Sequence, residues 1–259
     1  MIENHALARI RAGGVAIGIG VHHLRTAATG MLAEAAGYDW LFIDAEHGGF
    51  SEDEATQMAI AALPTRVTPI VRVCKGALDQ APRVLDNGAM GVVIPHIDTP
   101  DEARAVVDAC KYPPLGHRSL GGPPAQARFA AIPAGELMAE MNQRLLTIVM
   151  IETPQAVENA DAIAAVPGVD CLLIGTSDLT AEMGIPGQIG HERVKAAYAA
   201  VIGACRKHGR IAGMGGVYDE QHAPVYIGMG ARLVLSGSDH SLLMAALKAR
   251  IGFLRSIPV

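Results

Sequence analysis

CLLIGTSD, residues 171–178, is apolar through its first four positions and then turns at Gly175 into a polar segment that ends on Asp178. An uninterrupted apolar run suits a parallel strand buried on both faces better than a hairpin strand, whose residues alternate. GVVIP, residues 91–95, has the same character. Similar runs recur from one end of the chain to the other: Val15 to Gly20, Asp39 to Asp44, Val67 to Val73, Leu145 to Glu152, Ile211 to Gly215 and Leu233 to Gly237. With Gly91 to Pro95 and Cys171 to Gly175 they make eight strands, each followed by a segment with helical spacing. Thr26 to Ala36 reads as a helix stopped by Gly37, and Ala77 to Asn87 as one stopped by Gly88. Ser51 with Glu54 has the spacing of a capping box, and Thr99-Pro100 and Thr153-Pro154 place a capping hydroxyl before a proline at the first helical position. Eight strands alternating with helices in 259 residues predict an α/β fold, a (β/α)8 TIM barrel, as a single domain over residues 1–259. An open doubly wound sheet is the competing arrangement, and GIGVHH, its nearest approach to a dinucleotide fingerprint, lacks the final glycine.

The composition agrees with a packed core. Apolar residues make up 50% of the chain, charged residues 18% and aromatic residues 4%, which excludes intrinsic disorder. Lys and Arg number 21 against 26 Asp and Glu, for a net charge of −5, so neither nucleic acid nor an anionic membrane surface is an expected partner. No apolar stretch is long enough to span a bilayer and no secretory leader is evident, so a cytoplasmic protein is expected. The four cysteines, Cys74, Cys110, Cys171 and Cys205, are far apart and read as reduced, buried thiols. Residues Lys111 to Ile132 carry four prolines and three glycines with no clean period. This long loop follows the fourth helix, so it begins on the face of the barrel away from the expected site.

In a barrel the C-terminal strand ends point into the mouth. Asp44, Glu46 and His47 follow the second strand, Arg72 ends the third, Glu152 ends the fifth and Asp178 follows the sixth. An arginine inside an apolar run is costly to bury without an anionic partner. Glu152 and Asp178 offer hard oxygen ligands on adjacent strands and leave most of a coordination shell open, which suits Mg2+ or Mn2+ better than zinc. A cation held there can chelate a 2-oxo acid as a Lewis acid, with Arg72 beside the developing enolate and an Asp44–His47 pair as general base.

DWLFIDAEHGGFS, PIVRV, VLDNGAMGVVIPHIDTPDEAR, KYPPLGHRS, VMIETPQAVEN and LLIGTSDLTAEMG occur in that order between about Gly18 and Ala249. Together they resemble the HpcH/HpaI class II aldolases, metal-dependent enzymes that cleave 4-hydroxy-2-oxo acids to pyruvate or a close 2-oxo acid, such as hydroxypyruvate, plus an aldehyde. The resemblance implies a divalent cation (Mg2+, Mn2+ or Co2+) on Glu152 and Asp178, His47 as proton acceptor and Arg72 stabilising the enolate. It implies that the GTSD segment, Gly175, Thr176, Ser177 and Asp178, receives the substrate carboxylate, the backbone N–H groups of Ser177 and Asp178 holding it. It implies too that Asp86 reaches the histidine of a neighbouring subunit in a homo-oligomer, a hexamer built as a trimer of dimers. The C-terminal helix is expected to be exchanged or packed between subunits.

The sequence departs from the family pattern in three places. Met150 stands where a substrate-binding glutamine is common, GVHHLR follows the first strand, and HRSLGGPP follows KYPPLG. His22, His23, Arg25, His117 and Arg118 are therefore candidates for the distal end of the substrate. Three other functions fit parts of the pattern. A Schiff-base aldolase would use Lys75, a phosphosugar enzyme would use the turns at Gly213, Gly215, Gly216 and Gly237, and a non-catalytic barrel would bind a small acid.

Overall fold

Side-chain parity along each strand decides what meets inside the barrel. The computed structural model describes residues 1–258. Strands β1 (Ala16–Val21), β2 (Trp40–Asp44), β3 (Thr68–Arg72), β4 (Gly91–Ile94), β5 (Leu146–Ile151), β6 (Cys171–Gly175), β7 (Ile211–Gly215) and β8 (Leu233–Ser238) pair in parallel in chain order, and β8 closes on β1. Every expected strand forms with its ends within one residue of those read from the sequence, and the open sheet is excluded by the closure.

One set of alternate residues, including Trp40, Phe42, Ile70, Ile148, Met150, Leu173 and Leu235, packs inside the barrel. The other set, including Leu41, Ile43, Val71, Val149, Ile151, Leu172 and Ile174, packs under the helices. Both faces are thus apolar, which explains the unbroken runs. Trp40 occupies so much of the interior that a Cβ on Gly18 would lie 2.2 Å from its ring. That close approach makes position 18 glycine.

The chain before β1 forms a short helix, His5–Arg11, which sequence reading does not anticipate because its apolar face, Ala6, Leu7 and Ile10, is too short to show a period. Asn4 caps it by accepting from Leu7 N–H, and donates to the carbonyls of Met90 (3.2 Å) and Arg144 (2.8 Å). Ala6 and Leu7 join the interior cluster and seal the N-terminal end of the barrel. The capping boxes at Ser51–Glu54 and Thr99–Glu102 are present, and Thr153 accepts from Ala156 N–H. Two helices start three residues later than their spacing predicts, at Thr29 and Gln80. In the first, the Thr29 hydroxyl donates to Leu24 and Thr26 carbonyls, and this local bonding holds Thr26 in a turn.

The 111–132 loop stays on the N-terminal face where it begins. Lys111 donates to Asp170 (2.7 Å) just ahead of β6, and Arg118 donates to Asp86 (2.6 Å). Gln126 donates to the carbonyls of Leu85 and Ala89. The C-terminal helix, Asp239–Arg255, buries only its first residue and exposes Leu243 at 55% and Phe253 at 58%. Among the described residues, no helix is long and apolar enough to cross a membrane. None of the four cysteines is bonded to another, and burial pushes the thiols of Cys110 and Cys205 up to about 12, where they are inert.

Gly18→Ala should cost about 1–3 kcal/mol of stability by forcing a methyl into the Trp40 ring. Urea unfolding checks this, and a loss below about 0.5 kcal/mol would mean that the indole yields freely.

Candidate active site

The inward parity that places Trp40 and Phe42 in the barrel continues to Asp44, and that of Ile70 continues to Arg72. Asp44 and Arg72 are direct neighbours in the β2–β3 register. Their side chains form a bidentate pair, with Arg72 Nε donating to Asp44 Oδ1 (2.9 Å) and Nη2 to Oδ2 (2.6 Å). Nη1 lies 3.1 Å from Glu46 Oε2, and the guanidinium rests over the Phe42 ring. Asp44 also accepts the backbone N–H groups of Glu46 and His47 and lies 2.9 Å from His22 Nε2. Burial opposes its ionisation, but His22 and Arg72 outweigh that and hold its carboxyl well below the usual range.

The same parity carries Ile148 and Met150 to Glu152, which is 1% exposed. Its Oε2 accepts from His96 N–H (2.8 Å), a backbone held at φ 52°. Its Oε1 is buried without a hydrogen-bond partner. A Cβ on Gly175 would lie 2.7 Å from that atom, so the glycine opens the space into which Glu152 projects. Burial, with the nearby Asp178 charge, pushes the Glu152 carboxyl up to about 7, although His96 and Arg72 pull the other way. Asp178 is exposed at the mouth, and its carboxylate makes no hydrogen bond among the described residues.

These groups surround a cavity of about 330 Å3 at the C-terminal end of the barrel. His22, Phe42, Asp44, His47 and Arg72 line one side, and Gly175, Thr176, Ser177 and Asp178 line another. Met150, Leu173, Leu235, Gly215, Gly216 and Tyr218 complete it. Gly216 has φ 82°, and a Cβ there would stand 3.0 Å from Ser177 N, so this turn keeps that N–H uncovered.

The expected residues do not all hold the expected contacts. Asp44 takes the His47 backbone N–H and meets the His22 ring, so the Asp44–His47 side-chain pair is replaced by an Asp44–His22 pair. The Thr176 hydroxyl donates to Gly215 O (2.6 Å) and meets Tyr198 (2.7 Å), which leaves its backbone, not its side chain, for a substrate. Asp86 lies on the opposite face beside Arg118, outside this chain's own cavity, and His117 meets Asp108 there. Lys75 is exposed and no lysine lines the cavity, so a Schiff base has no amine to form on. A Cβ on Gly213 would lie 2.7 Å from Leu173, and Gly237 has φ 143°, so these glycines answer steric demands of the turns. Sequence reading passed over three neighbours of the site: His96, Tyr218 and the pairing role of Glu46. His96 directly follows the fourth strand in VVIPH and was open to the same strand-end rule.

Glu152 Oε1 has no protein partner, and Asp178 on the next strand end offers a second carboxylate, with the His96 ring 3.6 Å from Glu152 Oε2. The donor set therefore fits a divalent cation. A parallel barrel whose open cavity at the C-terminal end gathers acids, an ion-paired arginine and a histidine has the layout of a barrel enzyme. The HpcH/HpaI aldolase/citrate lyase family profile matches residues 23–246, and the chain belongs to that family. It is a carbon–carbon lyase. The chain is 37% identical to a 4-hydroxy-4-methyl-2-oxoglutarate aldolase of Hapsidospora irregularis, over 98% of this chain and 96% of that one. It is 35% identical to a 2-keto-3-deoxy-L-rhamnonate aldolase of Salmonella schwarzengrund, over 99% and 95%. A crystal structure of an HpcH/HpaI aldolase from Desulfitobacterium hafniense superposes with a TM-score of 0.91 at 28% identity, covering 97% of each chain.

Asp44→Asn should lose about 2–3 kcal/mol, because it removes the bidentate partner of the buried Arg72 and leaves it the single contact with Glu46. The folded carboxyl of Asp44 is depressed, so its contribution is complete above the ordinary value of 3.8 and erodes as pH falls below it. Acid unfolding of the wild type alongside Asp44→Asn checks this. Parallel acid profiles would remove the pair from its stabilising role.

Proposed function

We propose that this protein is a class II aldolase that reversibly cleaves a 4-hydroxy-2-oxo acid to pyruvate or hydroxypyruvate and an aldehyde, with a divalent cation held by Glu152 and Asp178. The observation that carries the reading is the buried Oε1 of Glu152, which has no partner in the protein and faces the gap left by Gly175. The substrates named for the two relatives are both 2-oxo acids.

When bound, a cation at these oxygens supplies Lewis-acid polarisation of the 2-oxo group. The uncovered N–H groups of Ser177 and Asp178 orient the substrate carboxylate. Arg72 is held rigid by Asp44 and Glu46, so its charge meets the developing enolate without reorganising. The His47 ring lines the mouth with no side-chain hydrogen bond among the described residues, so it is free to accept the proton of the C4 hydroxyl. As that proton leaves, the C3–C4 bond breaks, its electron pair passes toward the 2-oxo group, and the aldehyde carbonyl forms. The proton then returns from the His47 side to C3. Met150 replaces a hydrogen-bonding residue with a thioether 3.8 Å from Arg72 Nη1, so this wall offers the substrate an apolar surface.

The assembly is part of the same proposal. Asp239–Arg255 leaves Leu243, Met244, Leu247 and Phe253 exposed on one helix, and a second copy covering them supports a homo-oligomer. Asp86, half-exposed beside Arg118 on the opposite face, is available to reach the His47 of a neighbour in a hexameric trimer of dimers. Unbonded, mostly buried cysteines fit a cytoplasmic setting. Light scattering should give a mass several times 27.0 kDa, and a monomer would sink the assembly.

Chelation with EDTA should abolish cleavage of 4-hydroxy-2-oxo acids, and Mg2+, Mn2+ or Co2+ should restore it. Cation affinity should rise with pH up to about 7 and then level, because Glu152 must first lose a proton that burial holds. Without the cation the sign reverses for stability. An acid whose folded value is raised binds more protons folded than unfolded, so the stripped protein should weaken as pH rises from 4.5 toward about 7. His47→Ala should slow proton exchange at the pyruvate methyl about 10²–10⁴-fold without changing cation affinity, whereas Glu152→Gln should weaken that affinity directly. Activity persisting in EDTA, or exchange unchanged in His47→Ala, would overturn the respective assignment.

A further inference from the structure

The barrel closes where β1 meets β8, and the pairing there slips between Gly18 and Gly20. Beyond that slip the two chains bring His22, Asp239 and His240 together at the rim. One ligand atom from each lies within 4.8 Å of the others.

Asp239 fixes the geometry. Its Oδ2 accepts the backbone N–H groups of His22 (3.0 Å), His23 (2.7 Å) and Leu24 (2.7 Å), and its Oδ1 accepts from His240 N–H (2.7 Å). Oδ1 keeps a second lone pair. His22 Nδ1 lies 3.9 Å from that oxygen and His240 Nδ1 lies 3.5 Å from it.

The His22 ring is constrained from its other side. Nε2 stands 2.9 Å from the Asp44 carboxylate, which Arg72 keeps ionised, so Nε2 carries the hydrogen and Nδ1 presents a bare lone pair. Nδ1 is buried and has no hydrogen-bond partner. Protonating it does not help, because Oδ1 at 3.9 Å is too distant for a hydrogen bond. Neither protonation state satisfies this atom, and a buried unsatisfied nitrogen is costly.

A cation satisfies it. Two ligand atoms at about 2.0–2.2 Å from a tetrahedral ion stand roughly 3.4 Å apart, and the His22 and His240 nitrogens, 3.9 and 3.5 Å from Asp239 Oδ1, are already close to that spacing from the shared carboxylate. A metal-binding histidine characteristically gives its other ring N–H to a carboxylate, as His22 does to Asp44. His240 Nε2 likewise has Ser238 Oγ at 3.4 Å. We propose that His22 Nδ1, Asp239 Oδ1 and His240 Nδ1 form a second cation site, with water completing it, selective for Zn2+ or a similar nitrogen-preferring ion. Its ligands differ in kind from the all-oxygen pair Glu152 and Asp178. The ion ties the first strand-to-helix loop to the start of the C-terminal helix and fixes the tautomer with which His22 meets Asp44.

The test is a count of bound Zn2+ by equilibrium dialysis on chelator-stripped full-length protein, with Zn2+ alone as the probe. His240→Ala removes a half-exposed ligand outside the catalytic machinery and should fold normally, which circular dichroism verifies. Wild type should hold one more equivalent than His240→Ala. The Glu152→Gln/Asp178→Asn double variant should retain the equivalent that His240→Ala loses, and Co2+ bound to that variant should show the intense visible absorption of a four-coordinate ion. Equal stoichiometry in wild type and His240→Ala, or no bound ion in the double variant, overturns the proposal. Failure of the Glu152–Asp178 assignment would show separately, as a double variant that binds as much as wild type.

Discussion

The buried pair between Asp44 and Arg72 is the constraint on which the mouth of this barrel depends. An arginine on an inward strand position has to be compensated, and the β2–β3 register supplies Asp44 directly opposite. Once committed to Arg72, the carboxylate still has capacity for two backbone N–H groups and the His22 ring. It thereby shapes the turn that presents His47 and draws the β1 loop inward. Glu46 extends the pairing to the far side of the guanidinium. Arg72 is therefore held from two sides while still lining the cavity, a placement that suits a group meant to meet charge that develops during a reaction.

The fold was legible because its strands are buried on both faces. Apolar runs such as CLLIG have no competing amphipathic reading, and hydroxyl-then-proline pairs at Thr99 and Thr153 marked helix starts. The helix His5–Arg11 was not legible, since only Ala6 and Leu7 are buried and its position depends on Asn4 reaching two distant carbonyls. The late start at Thr29 has a local cause, since helical spacing does not register a hydroxyl that bonds to the backbone just before it.

Within the site, position at the C-terminal strand ends singles out Asp44, Arg72 and Glu152 from the sequence, and the inward parity of their strands turns their side chains toward the barrel axis. Partner choice is another matter. The sequence proximity of Asp44 and His47 suggested a pair, yet three residues of turn leave the histidine's N–H, not its ring, over the carboxylate. The ring that does meet Asp44 belongs to His22, on a neighbouring strand end. His96 obeys the same strand-end rule, but what it gives the site is its N–H, which supports Glu152 from a left-handed conformation that side-chain chemistry does not advertise. The net charge of −5 was the least informative number, as the cavity wall carries a guanidinium and an acid that burial holds near neutrality.

The plug formed by Ala6 and Leu7 adds to the side chains of Trp40, Ile70 and Ile148 that already fill the barrel beneath the cavity. The floor of the cavity is therefore packed hydrocarbon. Asp44 and Arg72 stand directly on that low-dielectric base, which strengthens the field they exert across the opening.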